Sequence, residues 1–139
     1  AYEIRPRDWS SDVCSSDLVW NQVEGYLERA FDYAEGDYTV QDARVYVTSG
    51  LWHLIIAEAE DGIKGAALVM YFNRPRDRIA FVLAMGGRLI TSSDTFNQFK
   101  GILRANGATC IEGAARDDIL RLWAKFGVVK KYNIISASI

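Results

Sequence analysis

Histidine and cysteine are scarce in this sequence, since its 139 residues contain one His and two Cys. Zinc sites are built mainly from His and Cys side chains, so the composition excludes a His-rich metal site and we expect no bound metal. Two cysteines also cannot form the disulfide framework of a small secreted domain. A chain of this length buries roughly two thirds of its unfolded surface, which is enough for one domain over residues 1–139 without cross-links.

Long apolar runs are missing as well. Runs such as residues 54–57 and 66–72 are far shorter than the roughly 20 residues that a membrane-spanning helix needs, so we expect no association with a membrane. The first residues lack the basic start and the apolar core of a secretory signal. We therefore expect a cytoplasmic protein.

The sequence also lacks an excess of positive charge. Lys and Arg number 16 and Asp and Glu number 18, for a formal net charge of -2, so general binding to nucleic-acid phosphates is not expected. Residues 99–139 nevertheless contain seven basic and three acidic side chains. This asymmetry would attract an anionic ligand, or it reflects Lys and Arg side chains scattered over solvated faces.

Residues 10–18 do not resemble ordinary protein sequence. Their order, Ser-Ser-Asp-Val-Cys-Ser-Ser-Asp-Leu, resembles a translated sequencing adapter over nine consecutive residues. Such a scar would indicate a metagenome sequence assembled from environmental reads, in which the true residues at these positions are lost. The alternative is a genuine helix start, because Ser and Asp are good N-cap residues. We give Cys14 and its acidic neighbours no functional role.

Apolar residues at helical spacing predict four helices. The first has one broad apolar face, formed by Val19, Trp20, Val23, Tyr26, Leu27, Ala30 and Phe31. Thr39 and Asp42 can cap a second helix that ends at Gly50, although the β-branched residues within it leave a strand open. Residues 92–94 can cap a third helix. A fourth is predicted over residues 117–126, with five residues facing inward: Ile119, Leu120, Leu122, Trp123 and Phe126.

Three apolar runs in the middle of the chain predict an antiparallel meander. They cover residues 51–60, 63–72 and 79–85. The connection Asp61-Gly62 is typical of a type I′ hairpin turn. Further strands are predicted near the N-terminus, over residues 108–112 and over residues 128–139. The order of elements indicates a mixed α/β (α+β) protein, with a mostly antiparallel central sheet flanked by about four helices.

No catalytic motif is complete in the sequence. It has no nucleophile elbow, no Walker loop and no Cys-x-x-Cys pair. His53 could act as a base, but no nucleophile is adjacent in the sequence, and an ordinary strand histidine is the alternative. Cys110 lies in an apolar context that is typical of a buried, inert thiol. Four carboxylates near strand ends are either general bases or solvated turn residues: Glu58, Glu60, Asp61 and Asp77.

Two segments match patterns of a known family. Residues 115–128, Ala-Arg-Asp-Asp-Ile-Leu-Arg-Leu-Trp-Ala-Lys-Phe-Gly-Val, are similar to the helix and glycine cap that read Asn-x-x-Ala-x-x-Leu-Tyr-x-x-x-Gly-Phe in that family. Residues 61–65, Asp-Gly-Ile-Lys-Gly, are similar to its hairpin pattern Asp-Gly-x-x-x-Gly. With the order of elements, these segments make most of the chain resemble the GNAT family of N-acetyltransferases.

The resemblance implies a sheet that is splayed between its fourth and fifth strands, with acetyl-CoA in the gap. Met85 and Thr109 would border this gap, and backbone N–H groups before the third helix would hold the pyrophosphate. The implied cofactor-binding residues are Met85, Gly86, Gly87, Arg88 and Arg116.

The chain departs from the family in this region. The loop after Met85 lacks the pattern Arg/Gln-x-x-Gly-x-Gly/Ala, and Asp94 near the helix start would repel an anion. Arg116 stands where the family commonly has asparagine. Trp123 stands where a tyrosine often serves as general acid, and an indole cannot donate a proton in that role.

These departures leave functions of different classes open. The first is an acetyl-CoA-dependent N-acyltransferase-like protein with a degenerate cofactor loop, in which Glu58 or a water takes the proton of the attacking amine and strand amides near Met85 polarise the thioester. The second is a non-catalytic phage virion structural or assembly protein, whose cleft would be blocked by Trp123 or Phe96. A sensor of small ligands is a third.

The second function rests on a further resemblance. The ending from Gly107 onward is similar to that of small GNAT-like proteins of tailed phages, some of which belong to the internal virion. It implies a protein of the host-cell cytoplasm or the virion, with a small molecule or other virion proteins as partners. The acyl acceptor and the oligomeric state are left open.

Overall fold

A five-stranded sheet forms the centre of the molecule. This computed structural model describes residues 3–6, 13–32 and 36–139, with the backbone alone for 13–17. The strands are β1 (Glu3–Pro6), β2 (His53–Ala59), β3 (Gly62–Asn73), β4 (Arg78–Gly87) and β5 (Cys110–Gly113). The helices are α1 (Val13–Phe31), α2 (Val40–Thr48), α3 (Ser93–Ala105) and α4 (Asp117–Trp123), which a 3₁₀ turn (Ala124–Phe126) follows.

The strands lie in the sheet in chain order, β1-β2-β3-β4-β5. The first four are antiparallel, whereas β5 is parallel to β4 because α3 returns the chain to the start of β4. The expected meander is confirmed, with its first turn one residue earlier than expected. Ala59 pairs with Gly62, so Glu60 and Asp61 form the connection.

The helices form for the reasons that the sequence indicates. On α1 the buried residues follow the expected apolar face, and Val23 and Leu27 have no exposed surface. At the start of α2, Thr39 and Asp42 each accept a hydrogen bond from the other's backbone N–H, at 3.1 and 3.0 Å. This capping box decides the open alternative for α2 in favour of a helix.

Two clusters of buried side chains pack on opposite faces of the sheet. α1 and α2 cover one face, and α3 with the residues around α4 covers the other. The first cluster contains, among others, Trp20, Val23, Leu27, Ala43, Leu54, Ile56 and Leu68. The second contains, among others, Ile55, Ala67, Val69, Phe96, Phe99 and Leu103. Neighbouring residues on β2 and β3 therefore alternate between the two clusters, as pleated strands require.

The expected final strand is wrong. Residues 128–139 have no regular secondary structure and are almost entirely exposed. Their β-branched residues favour a strand, but that preference has an effect only when a neighbouring strand supplies hydrogen bonds. The inward position of Leu122 is also wrong, because 62% of this side chain is exposed, whereas Trp123 beside it is half-buried.

Part of the adapter-like segment forms the start of α1. Of the adapter-like segment, residues 10–12 lie outside the described residues, and the rest begins α1. No helix in the described part of the chain is long and apolar enough to cross a membrane.

Candidate functional site

β4 extends beyond the end of β5. The two strands pair only from Ile79 with Cys110 to Val82 with Gly113, so residues 83–87 have no described partner strand on that side. In an unpaired edge, alternate backbone N–H and C=O groups point away from the sheet. The sheet is thus open beside the C-terminal half of β4, and we call this opening the β4 gap.

A bulge lies at the start of the β4 gap. On the β3 side, Leu68 pairs with Ala84 and Val69 with Val82, which leaves Leu83 as an extra residue. Leu83 and Ala84 both pack in the cluster under α1, so the alternation of side chains is interrupted here. Bulges re-aim the backbone next to them, and this one lies where the partner strand β5 ends.

Thr109 does not border the β4 gap as expected. Its backbone N–H donates to the carbonyl of Arg78 at 2.9 Å, at the start of β4. Met85 lies about 20 Å further along that strand, at the spacing of extended residues. The expectation was wrong because α3 brings the chain back to the beginning of β4 before β5 starts.

The expected cofactor-binding residues at the end of β4 lie together, and protein contacts alone explain the two glycines. A Cβ atom on Gly86 would lie 2.2 Å from the backbone oxygen of Tyr26 in α1. A Cβ atom on Gly87, where φ is +71°, would lie 2.4 Å from the backbone oxygen of Lys64. The side chain of Met85 is half-buried in the second cluster.

Several backbone N–H groups of the loop between β4 and α3 donate hydrogen bonds within the protein. The N–H of Arg88 donates to the carbonyl of Lys64 at 2.8 Å. The N–H groups of Thr91 and Ser92 donate to the hydroxyl of Thr95 at 2.9 and 3.0 Å, and the N–H of Thr95 donates to the Ser92 hydroxyl at 3.2 Å. These hydroxyls occupy positions in which a phosphate would accept the same hydrogen bonds.

The charges around this loop have both signs. Counted from Arg88, the glycine positions of the family pattern fall on Thr91 and Ser93. Asp94, in the first turn of α3, accepts a hydrogen bond from the side chain of Gln98 at 2.9 Å. Its carboxylate opposes an anion there, whereas the exposed guanidinium of Arg88 favours one. The loop therefore fits a diphosphate poorly, while the β4 gap leaves the backbone of residues 83–87 without a described partner strand on one side.

Arg116 and Trp123 follow β5 in the chain, and β5 ends level with the start of the β4 gap. Arg116 precedes α4, and its guanidinium lies 3.3 Å from the carboxylate of Asp118. The Trp123 ring packs edge-on against the Phe96 ring, with centroids 5.9 Å apart. Phe126 stacks on the Phe96 ring as well, at a centroid distance of 5.1 Å. Trp123 thus fixes the end of α4 on α3.

The structure does not bring Glu58 to the β4 gap. Glu58 is on β2, two strands and about 10 Å from β4. Both of its carboxylate oxygens accept hydrogen bonds from Arg5, at 2.8 and 2.7 Å. Both bonds come from one guanidinium nitrogen, Nη2 of Arg5, and they join β1 to β2.

His53 begins β2 and pairs with Val69, which pairs with Val82 of β4, so His53 lies two strands from the start of the β4 gap. Its Nδ1 atom is 2.8 Å from the hydroxyl oxygen of Tyr71, and the guanidinium of Arg78 lies 5.2 Å from the Tyr71 ring. Partial burial lowers the pKa of His53. Burial also raises the pKa of Tyr71 to about 12, against the opposing effect of Arg78. Both rings are therefore neutral at pH 7.

The sequence alone indicates neither the ion cluster around Glu112 nor the bulge at Leu83. Arg74 and Lys131 both donate hydrogen bonds to Glu112, and they hold the pKa of its carboxylate at about 2. Residues 38 and 19 positions apart meet here, and no local pattern indicates such contacts. Among the described residues no group of three or more His, Cys, Asp and Glu side chains could hold a metal ion.

No model of a protein family matches the sequence, and no curated protein is similar to it. Solved structures are similar to it in fold. The aminoglycoside N-acetyltransferase AAC(6')-Iy in complex with CoA has a TM-score of 0.70 at 10% identity, over 100% of this chain and 95% of that chain.

Two further structures cover the whole chain. An aminoglycoside acetyltransferase from an uncultured soil metagenomic sample has a TM-score of 0.67 at 12% identity, over 99% of its own length. A transcriptional regulator from Bacillus halodurans has a TM-score of 0.69 at 13% identity, over 100% of its own length. At such low identities the similarity concerns the fold alone. The five-stranded sheet, its four helices and these neighbours show that the chain has a GNAT-like acetyltransferase fold.

Proposed function

We propose that the protein is an N-acyltransferase-like protein that binds acetyl-CoA through its thioester end, in the β4 gap. The observation that carries this proposal is the open edge at residues 83–87, with the Leu83 bulge at its start. N–H groups that point out of such an edge can donate to the thioester carbonyl and stabilise the negative charge that develops on it. The CoA complex of a neighbour with the same fold supports this choice of ligand.

The transfer step requires mainly that the chain holds the attacking amine next to the thioester. An amine would attack the thioester carbon, the carbon–sulfur bond would break, and the acyl group would pass to nitrogen. Because Glu58 is held by Arg5 two strands away, we assign the removal of the amine proton to water. Trp123 cannot protonate the leaving thiolate, so the thiolate would take its proton from solvent as well. We therefore expect slow transfer.

The loop before α3 determines how firmly the ligand is held. The hydroxyl oxygens of Ser92 and Thr95 accept hydrogen bonds from N–H groups of this loop. We therefore assign the side chain of Arg88 as the main contact of the phosphates. Met85, Gly86 and Gly87 would line the thioester end of the site, and Arg116 would face it from the β5 side. This arrangement predicts a dissociation constant of about 0.1 to 1 mM, which corresponds to about 4 to 5.5 kcal/mol of binding free energy.

Calorimetric titration with acetyl-CoA tests this proposal. We expect measurable heat with the wild type up to about 1 mM ligand, and several-fold weaker binding for Arg88→Ala. Arg76→Ala is the matched control, because Arg76 is an exposed arginine in the turn at the opposite end of β4. Absence of heat at 1 mM, or equal losses in both variants, would contradict the proposal.

Two observations favour the second candidate, a non-catalytic phage virion structural or assembly protein. In the loop, a hydroxyl accepts hydrogen bonds from N–H groups that would otherwise bind a phosphate. Trp123, at the position where the family often has a catalytic tyrosine, packs on Phe96. If so, the protein should associate stably with other virion proteins in pull-downs while acetyl-CoA gives no heat. Acetyl-CoA binding that Arg88→Ala weakens would decide against this candidate.

A further inference from the structure

Two phenylalanine rings of neighbouring strands lie side by side outside the two buried clusters. Phe72 is on β3 and Phe81 is on β4, and their ring centroids are 6.3 Å apart. Both side chains are half-buried, and neither packs in a cluster of the described residues. Phe81 pairs with Met70, so the rings share the sheet face that α1 covers elsewhere. Part of each ring therefore reaches the surface of the sheet.

Cationic side chains lie next to these rings. The guanidinium of Arg74 is 5.2 Å from the centroid of the Phe72 ring. On the other side Glu112 pairs with Phe81 across β5 and β4. Its carboxylate accepts hydrogen bonds from both Arg74 and Lys131. Because two cations share one carboxylate, positive charge is in excess beside the rings.

Residues 128–139 add a third ring to the same area. The ammonium of Lys131 lies 2.8 Å from the carboxylate of Glu112, so this segment passes beside β5. The same ammonium is 5.5 Å from the centroid of the Tyr132 ring, and 56% of Tyr132 is exposed. We call residues 72–78, 81, 112 and 129–132 together the aromatic–basic surface.

This surface is positive although the whole chain is not. Residues 73–78 and 129–132 contain five basic side chains and one acidic one, so with Glu112 three positive charges remain in excess. The net charge of -2 of the chain does not cancel them, because salt screens exposed charges that are more than roughly 10 Å apart.

We propose that the aromatic–basic surface binds a single strand of RNA or DNA. Bases stack on the rings of Phe72, Phe81 and Tyr132, while the basic side chains contact the phosphates. Cations alone would attract any acidic partner, but rings placed between cations favour a partner with flat bases. None of these residues is among those that we assign to acetyl-CoA.

Fluorescence anisotropy with a labelled single strand of about 12 nucleotides tests the proposal, once with RNA and once with DNA of the same mixed sequence. We expect dissociation constants of about 1 to 100 μM at about 50 mM salt. The logarithm of the association constant should fall with the logarithm of the salt concentration at a slope of about -2, for about three neutralised phosphates. Tighter binding of RNA would support the proposal with a contact to the 2′-hydroxyl, and equal binding would support it without one.

Substitutions separate stacking from charge. Phe72→Leu and Phe81→Leu keep an apolar side chain but remove a flat ring, and each should weaken binding about fivefold or more. Tyr46→Leu is the matched control, because it removes a 40% exposed ring on α2 and should bind as the wild type does. Lys130→Ala should reduce the salt slope by about 0.7, whereas Arg121→Ala, at an exposed position on α4, should leave it unchanged. Thermal unfolding by circular dichroism shows that each variant is folded.

Two further probes distinguish a single strand from other anionic partners. A duplex of the same sequence and a polyglutamate peptide should each bind at least about tenfold more weakly, because neither offers unstacked bases. Equal binding of either probe would show that charge alone acts and would overturn the proposal. No change in anisotropy up to about 100 μM protein would overturn it as well, as would wild-type affinity in both phenylalanine variants.

Discussion

The substitution Gly86→Ala tests whether Gly86 is required for packing or for a ligand. A Cβ atom at this position would lie 2.2 Å from the carbonyl oxygen of Tyr26 and 2.8 Å from its carbonyl carbon. An ordinary contact between such atoms is more than 3 Å, so α1 has to move away from β4 by about 1 Å. The obstacle is backbone in the middle of a helix, which cannot rotate aside as a side chain can.

The expected loss of stability follows from the buried side chains that this movement separates. The residues next to Tyr26 include Leu27 and Val23, which are fully buried between α1 and the sheet. Overpacking of a close-packed core costs about 1 to 3 kcal/mol, and a rigid backbone obstacle places Gly86→Ala at the upper end. For a chain of this size about 3 kcal/mol lowers the midpoint of thermal unfolding by about 10 °C.

Urea unfolding followed by circular dichroism measures the effect. The control is Gly101→Ala: an added Cβ on Gly101 in α3 meets nothing within 4 Å, so alanine should stabilise this helix by about 1 kcal/mol. The two variants thus make the same chemical change and should shift the midpoint in opposite directions. If Gly86→Ala unfolds at the wild-type urea concentration and loses only acetyl-CoA binding, packing is not the reason for this glycine.

Two further predictions concern the ion cluster and α4. Because Arg74 and Lys131 hold the pKa of Glu112 at about 2, below its usual 4.5, its contribution to stability is complete above pH 4.5 and is lost as the pH falls towards 2. In Glu112→Gln this part of the acid dependence should be absent in urea unfolding series at pH 2 to 6; identical pH profiles for the two proteins would refute it. Leu122→Lys should change the unfolding free energy by less than about 0.5 kcal/mol, whereas Trp123→Ala should cost about 2 kcal/mol, and the reverse order would show that α4 is rotated.

Local patterns in the sequence predict most of the fold. The apolar face of α1 and the capping residues of α2 and α3 involve neighbours within four positions, so the chain itself determines them. The meander follows in the same way from three apolar runs and a short turn. The final strand could not be judged locally, because whether residues 128–139 form a strand depends on what lies beside β5.

The site was less predictable than the fold. The glycines at the end of β4 are evident from the sequence, but the close approach of α1 to Gly86 is not. A position near a strand end makes Glu58 a candidate base, but its contact with Arg5 depends on the register of β1 against β2. Leu83 carries no mark of a bulge, because its residue type is the same as that of an ordinary strand position.

Because the interior is divided into two clusters, the packing that stabilises the strands is largely separate from the loop before α3 and from α4. One side of the sheet, beneath α1 and α2, packs the Leu83 bulge and the α1 residue that meets Gly86, but it contains no residue of the loop before α3 or of α4. Sequence drift on the other side can therefore remove a ligand contact or add a binding surface while the first side continues to hold the strands in register. A scaffold built in this way can keep its fold after substitutions that remove a ligand contact from the second side.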